Sequence, residues 1–129
     1  MMDNRPIGVF DSGVGGLTVV NALSKVLPNE SIYYVGDTAR VPYGNKSKSS
    51  ILKFSLQITK WLLKQNCKII VIACNTASSL ALSYLKSNLS TSIIGVIDPA
   101  IKYAQMKTKN KQIGILGTRA TINSNIYCN

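Results

Sequence analysis

In the stretch KIIVIACNTASSLA, Lys68 to Ala81, an apolar run ends on Cys74 and a helix-starting pattern begins on the next residue. A thiol at the carboxyl end of a strand and the N-terminus of a helix sits where the helix dipole favours an anion. Cys74 is therefore a candidate base or nucleophile. The amide of Asn75 and the hydroxyl of Thr76 stand beside it and suit a carboxylate. The other two cysteines are placed differently. Cys67 starts the same run, at the opposite edge of the sheet, and Cys128 falls in the last helical stretch; both read as packing residues. The sequence contains no histidine. A cysteine-protease or acyl-transfer reading therefore lacks its base, and a His-ligated metal site is excluded.

The elements that position these groups alternate along the chain. Apolar runs occur at Pro6–Phe10, from Ser31, at Cys67–Cys74, from Ser92 and at Gln112–Gly117, and a helical pattern follows each, after a loop in the second case. Ile- and Val-rich strands separated by helices predict an α/β fold, a parallel sheet flanked by helices. Ligands of such sheets bind at the carboxyl ends of the strands. Those ends carry Asp11-Ser12, Gly36-Asp37-Thr38, Cys74-Asn75-Thr76, Asp98 and Gly117-Thr118. Any one of these polar groups reads as a helix cap; the set, with a cysteine among them, reads as one ligand site.

The turn DSGVGGL after the first run resembles a dinucleotide loop only in part. Thr18 stands where the third glycine is required, and no phosphate-binding lysine follows. Free N–H groups in such a turn suit an anion. Asp11 could hold an ammonium group or adjust a neighbouring base. The plainer alternative is an aspartate that bonds its own turn.

Composition narrows the classes further. The chain has 129 residues, 46% hydrophobic, with a net charge of +10. Its lysines lie mostly on helix exteriors: Lys53, Gln57, Lys60 and Lys64 form one stripe opposite Ile51, Phe54, Ile58 and Trp61. Aromatic and basic residues are not interleaved, so nucleic-acid binding is not expected as the main function. No apolar run spans a bilayer, and MMDNRPIGVF carries an acid and a proline where a signal peptide needs a basic segment. Three cysteines without regular spacing fit a reducing compartment. A cytoplasmic protein without membrane partners is expected.

Four motifs in order, FDSGVGGLTV, YVGDTARVPYG, VIACNTAS and IGILGTRATI, closely resemble the N-terminal half of the glutamate racemases, in the cofactor-independent aspartate/glutamate racemase family. The resemblance runs from Ile7 to the end of the chain. It implies a Rossmann-like racemase domain over residues 1–98 and the start of a second, similar domain over 99–129. It further implies interconversion of L- and D-glutamate for peptidoglycan, without pyridoxal phosphate or metal, by two cysteines on opposite faces of the α-carbon. By the same resemblance Cys74 matches the first of those cysteines, and Asp11 and Ser12 match a pair that contacts the amino acid beside it. Tyr43 and Gly44 match a substrate loop, Asn75 and Thr76 the residues that hold the carboxylate, and Thr118 and Thr121 the pocket's further wall.

The family's second cysteine lies in a downstream Cys-Thr-His segment that these 129 residues do not contain. The chain is thus expected to be incomplete, inactive alone, and a possible homodimer only at full length. Two other readings share the motifs: a non-catalytic carboxylate-binding remnant, and an aspartate racemase.

Overall fold

The computed structural model describes residues 3–128. In chain order these form β1 (Ile7–Asp11), α1 (Leu17–Val26), β2 (Ile32–Gly36), a 3-10 turn (Tyr43–Asn45), α2 (Lys48–Lys64), β3 (Ile69–Ile72), α3 (Asn75–Asn88), β4 (Ser92–Gly95), α4 (Ile97–Lys107) and α5 (Arg119–Asn123). The strands make one parallel sheet in the order β2-β1-β3-β4. Parallel neighbours need crossover connections, and the helices between strands supply them. This is the α/β architecture expected from the alternation.

Each central strand serves two layers because successive side chains point to opposite faces. Phe10, Ile70, Ile72 and Ile93 pack with Ile51, Ile58 and Leu62 of α2 and with Ala77, Ala81 and Leu85 of α3. Ile7, Val9 and Val71 face the other way, under Val19, Val20 and Leu23 of α1. Burial on both faces is the reason these strands read as unbroken apolar runs. A single fully buried side chain such as Leu62 contributes about 1.5–3 kcal/mol relative to exposure. Helix ends follow local chemistry. Ser47 caps α2 by accepting the Ser50 N–H at 3.2 Å, and α1 stops ahead of Pro28, whose ring disfavours helical backbone in the preceding residue.

Several expectations are corrected. Gln112–Gly117 forms no strand. It pairs with none of the four strands and lies exposed, Leu116 completely so. A β pattern supplies propensity, but a strand also needs a neighbour for its N–H and C=O groups. In α2 the buried face is Ile51, Ser55, Ile58, Thr59 and Leu62, while Trp61 is exposed. At about 100° per residue Trp61 turns to the margin of that face. Thr59 fits inside because its hydroxyl donates to the Ser55 carbonyl at 2.8 Å. The last helix covers only Arg119–Asn123, and Cys128 beyond it is exposed where packing was expected; Cys67 is buried. Pro99 lies in the first turn of α4, where it is tolerated because the first amides have no acceptor within the helix. Among the described residues no helix is long and apolar enough to cross a membrane.

Candidate active site

Strand β1 delivers Asp11 to the carboxyl edge of the sheet, level with Gly36 of β2. The carboxylate is buried, and its Oδ2 accepts the Gly16 N–H at 2.9 Å. Gly16 makes that turn possible, since a Cβ there would lie 2.6 Å from the Asp11 Cβ and 3.0 Å from the Ala73 Cβ. Tyr34 pins the same turn by donating its hydroxyl to the Gly13 carbonyl at 2.7 Å. Burial, reinforced by the charges of Asp11 and Cys74, pushes this phenol above its ordinary range. The glycine-rich turn thus spends one amide on its own aspartate, while the carboxylate still reaches the cleft described below.

Cys74 follows β3 and caps α3, its Sγ accepting the Ala77 N–H at 3.4 Å. The thiol donates towards Ser12 Oγ at 3.6 Å, and that hydroxyl stands 3.5 Å from Asp11 Oδ1. Sulfur and carboxylate are therefore joined through one serine, by long contacts. Cys74 is 6% exposed, so it sits on the floor of the cleft and not on its rim.

Thr76 completes the start of α3. Its hydroxyl lies 2.8 Å from that of Thr118 and 3.4 Å from that of Thr121, and the latter two are 3.0 Å apart. Thr118 also caps α5 by accepting the Thr121 N–H at 3.2 Å. This threonine cluster fastens α5 to α3 beside the thiol.

A cleft of about 400 Å³ opens here, lined by Asp11, Ser12, Cys74, Asn75, Thr76 and Thr118 among others. The structure thus gathers six of the candidate residues around one space. Gly15, Thr18, Val19, Ala73 and Val96 complete the lining; of these the sequence had signalled Gly15, within the glycine-rich turn, and Thr18, which breaks the dinucleotide pattern. Tyr43, Gly44 and Thr121 stand outside this lining. Thr121 lies behind Thr118, and Gly44 abuts Thr118, with a Cβ at Gly44 placed 2.7 Å from the Thr118 Cβ. Tyr43 points into the core, 1% exposed, and donates its hydroxyl to Asp37. Burial and that carboxylate push the Tyr43 phenol far above its ordinary value. Asp98 stays exposed on the first turn of α4.

Chemically, the cleft holds one thiol at a helix N-terminus, one carboxylate, and neutral hydroxyl and amide groups. That set can grip an α-amino acid by its ammonium and carboxylate while the sulfur exchanges a proton with carbon. The model of the Asp/Glu/hydantoin racemase family matches residues 15–129. The glutamate racemase of Lactococcus lactis subsp. cremoris is 51% identical over 126 residues, covering 98% of this chain and 46% of that protein. The glutamate racemase of Corynebacterium diphtheriae is 50% identical over 126 residues, with 98% and 48% covered. Among solved structures, the glutamate racemase of Aquifex pyrophilus superposes with a TM-score of 0.94 at 48% identity, over 96% of this chain and 49% of that one. The Francisella tularensis enzyme, solved in complex with D-glutamate, gives a TM-score of 0.89 at 47% identity, over 98% and 48%. The chain spans about half the length of the curated relatives it matches. With these motifs, this sheet order and this cleft, the chain belongs to the Asp/Glu/hydantoin racemase family and corresponds to the N-terminal half of its glutamate racemases.

Proposed function

We propose that this chain carries one proton-transfer face of a glutamate racemase that supplies D-glutamate for peptidoglycan. The observation that carries the reading is the placement of Cys74 on the floor of a cleft shared with Asp11, Ser12, Asn75, Thr76 and Thr118. In this reading the Cys74 thiolate takes the α-proton, and the electron pair left on carbon is delocalised into the α-carboxylate. Asp11 pairs with the ammonium group. Amides at the start of α3, with Asn75, Thr76 and Thr118, donate to the carboxylate as its charge rises, without adding a titrating group. Tyr43 and Gly44 back the loop beside this wall, and Thr121 holds Thr118. Neither pyridoxal phosphate nor a metal takes part. Inversion needs a proton from the opposite face, which a second cysteine provides from the other half of the enzyme, and residues 99–129 open the second domain.

The test separates the two faces. The 129-residue chain, incubated with L- and D-glutamate in D₂O, is expected to show no measurable racemisation. Slow α-deuteration of one enantiomer, abolished in Cys74→Ala, is the signature of the single base. Joining the chain to the second half of a glutamate racemase should restore racemisation in both directions without added cofactor, since a positioned acid is worth about 10²–10⁴-fold. Enzyme-like racemisation by monomers of the short chain would overturn the two-cysteine reading. Faster exchange with aspartate than with glutamate would overturn the choice of substrate.

A further inference from the structure

Asp37 is a buried carboxylate at the end of β2 that the proton-transfer chemistry above does not use. It is 7% exposed and is held from three directions. The Tyr43 hydroxyl donates to its Oδ2, the Arg40 Nε to its Oδ1 at 2.9 Å, and its own N–H is held by the Asp11 carbonyl at 2.9 Å. Arg40 is fixed in turn: it donates to Gln57 of α2 at 2.7 Å and lies 4.2 Å above the Phe54 ring. Tyr43 packs on that same ring. The aspartate thus ties the end of β2, next to Asp11, to a loop braced against α2.

What that loop touches gives the tie its meaning. Tyr43 precedes Gly44, whose backbone lies against Thr118 so closely that no side chain would fit. Thr118 in turn bonds Thr76 at 2.8 Å and lines the Cys74 cleft. Between Lys107 and Thr118 the chain is without helix or strand and exposed apart from Thr108. The position of Thr118 therefore rests on Thr76, on Thr121 and on the loop that Tyr43 anchors.

We propose that Asp37 is a positioning residue: by holding the Tyr43 hydroxyl it sets the Gly44 loop against Thr118 and so fixes the wall of the Cys74 cleft. The racemase reading gives this wall its use, but the geometry is testable without any turnover. Cys74 is 6% exposed and needs a local opening to react, whereas Cys67, 4% exposed in the core at the other end of β3, needs a larger one. When reclosing outpaces the reaction, labelling follows the population of the open form.

The experiment measures carbamidomethylation of Cys74 and Cys67 by mass spectrometry in the folded 129-residue chain, without glutamate. Asp37→Ala and Tyr43→Phe are each expected to speed Cys74 labelling about fivefold, the size of one net hydrogen bond, through a local opening that low urea scarcely promotes, whereas Cys67 labelling tracks global unfolding and rises only as far as the urea midpoint falls. Asp37→Asn, which still offers an oxygen to Tyr43, should restore most of the protection. The double variant Tyr43→Phe with Thr118→Val should label no faster than the faster single variant, because both loosen one wall. If Asp37→Ala fails to fold, Tyr43→Phe, which keeps the ring in the core, carries the test. Unchanged Cys74 labelling in Tyr43→Phe, a Cys74 rate that climbs with urea as steeply as that of Cys67, or failure of asparagine to protect would each overturn the proposal. A chain that passes while showing no α-deuteration of glutamate would sink the racemase reading and leave this one standing.

Discussion

Replacing Tyr43 by phenylalanine should lower the stability of the folded chain near neutrality and yet flatten its decline in alkali. The Tyr43 ring is 1% exposed and its hydroxyl donates to the buried Asp37. Burial, followed by the neighbouring carboxylate, raises its ionisation well above the ordinary value of 10.0. The sign follows from proton counting. Below about pH 10 folded and unfolded chains both hold the phenolic proton, so the contribution of this group is complete. Above it the unfolded chain releases the proton and the folded chain keeps it, and stability falls by about 1.4 kcal/mol for each pH unit. By pH 11 this one phenol has removed about 1.4 kcal/mol. Tyr43→Phe has no proton to lose, but it forfeits the bond to Asp37 and leaves that buried carboxylate with Arg40 alone among side chains, a cost of about 1–3 kcal/mol. Wild type should therefore exceed the variant by about 2 kcal/mol at pH 8, and the gap should narrow by about 1.4 kcal/mol between pH 9 and pH 11. Cys67, Tyr34 and Tyr127, also pushed upward by burial, are present in both chains and cancel in the difference. Urea unfolding followed by circular dichroism at pH 8, 9, 10 and 11 measures the gap. A gap that stays constant or widens above pH 9 refutes the reasoning, because it means the folded chain gives up the Tyr43 proton as readily as the unfolded one.

Three further outcomes follow from particular contacts. In the native chain near pH 8, alkylation should label the exposed Cys128 first, Cys74 next and the core Cys67 last; peptide mapping over time gives the order, and Cys67 ahead of Cys74 would contradict the placement of the thiol in an accessible cleft. Ser55→Ala should raise stability by about 1 kcal/mol, since the Ser55 hydroxyl is fully buried in α2 with no partner among the described residues and alanine is the better helix former; a lower urea midpoint would mean the hydroxyl is satisfied. Gly16→Ala should lower stability by about 1–3 kcal/mol by driving a methyl group into the Asp11 and Ala73 Cβ atoms, and an unchanged midpoint would show that the turn yields freely.

The alternation of Ile- and Val-rich runs with helical patterns was enough to specify a parallel α/β sheet, because strands buried on both faces must be apolar throughout and need covering crossovers. It was also enough to bring Asp11, Ser12, Cys74, Asn75 and Thr76 under suspicion together, since strand ends in such a sheet share one edge. Other features were beyond it. Asp37 stands among the polar strand ends in the sequence, yet nothing in its spacing to Tyr43 announces a buried pair; that pair forms because Phe54 and Arg40 wall the ring in. Trp61 carries the right period for the core but lies off the face that α3 covers.

By itself, then, the sequence determined the first four strands and the helices between them, and that a lone thiol caps a helix at the sheet's carboxyl edge. Those properties depend on periods and on neighbours within a few residues, which the chain writes locally. Only the tertiary structure decided that Thr118 closes on Thr76, that Tyr43 turns away from the cleft to Asp37, that Cys128 is exposed, and that Gln112–Gly117 remains unpaired. Each of these depends on how distant segments pack, as across the 42 residues separating Thr76 from Thr118 or where Phe54 walls in Tyr43, and a hydrogen bond or a ladder exists only where folding places its partner.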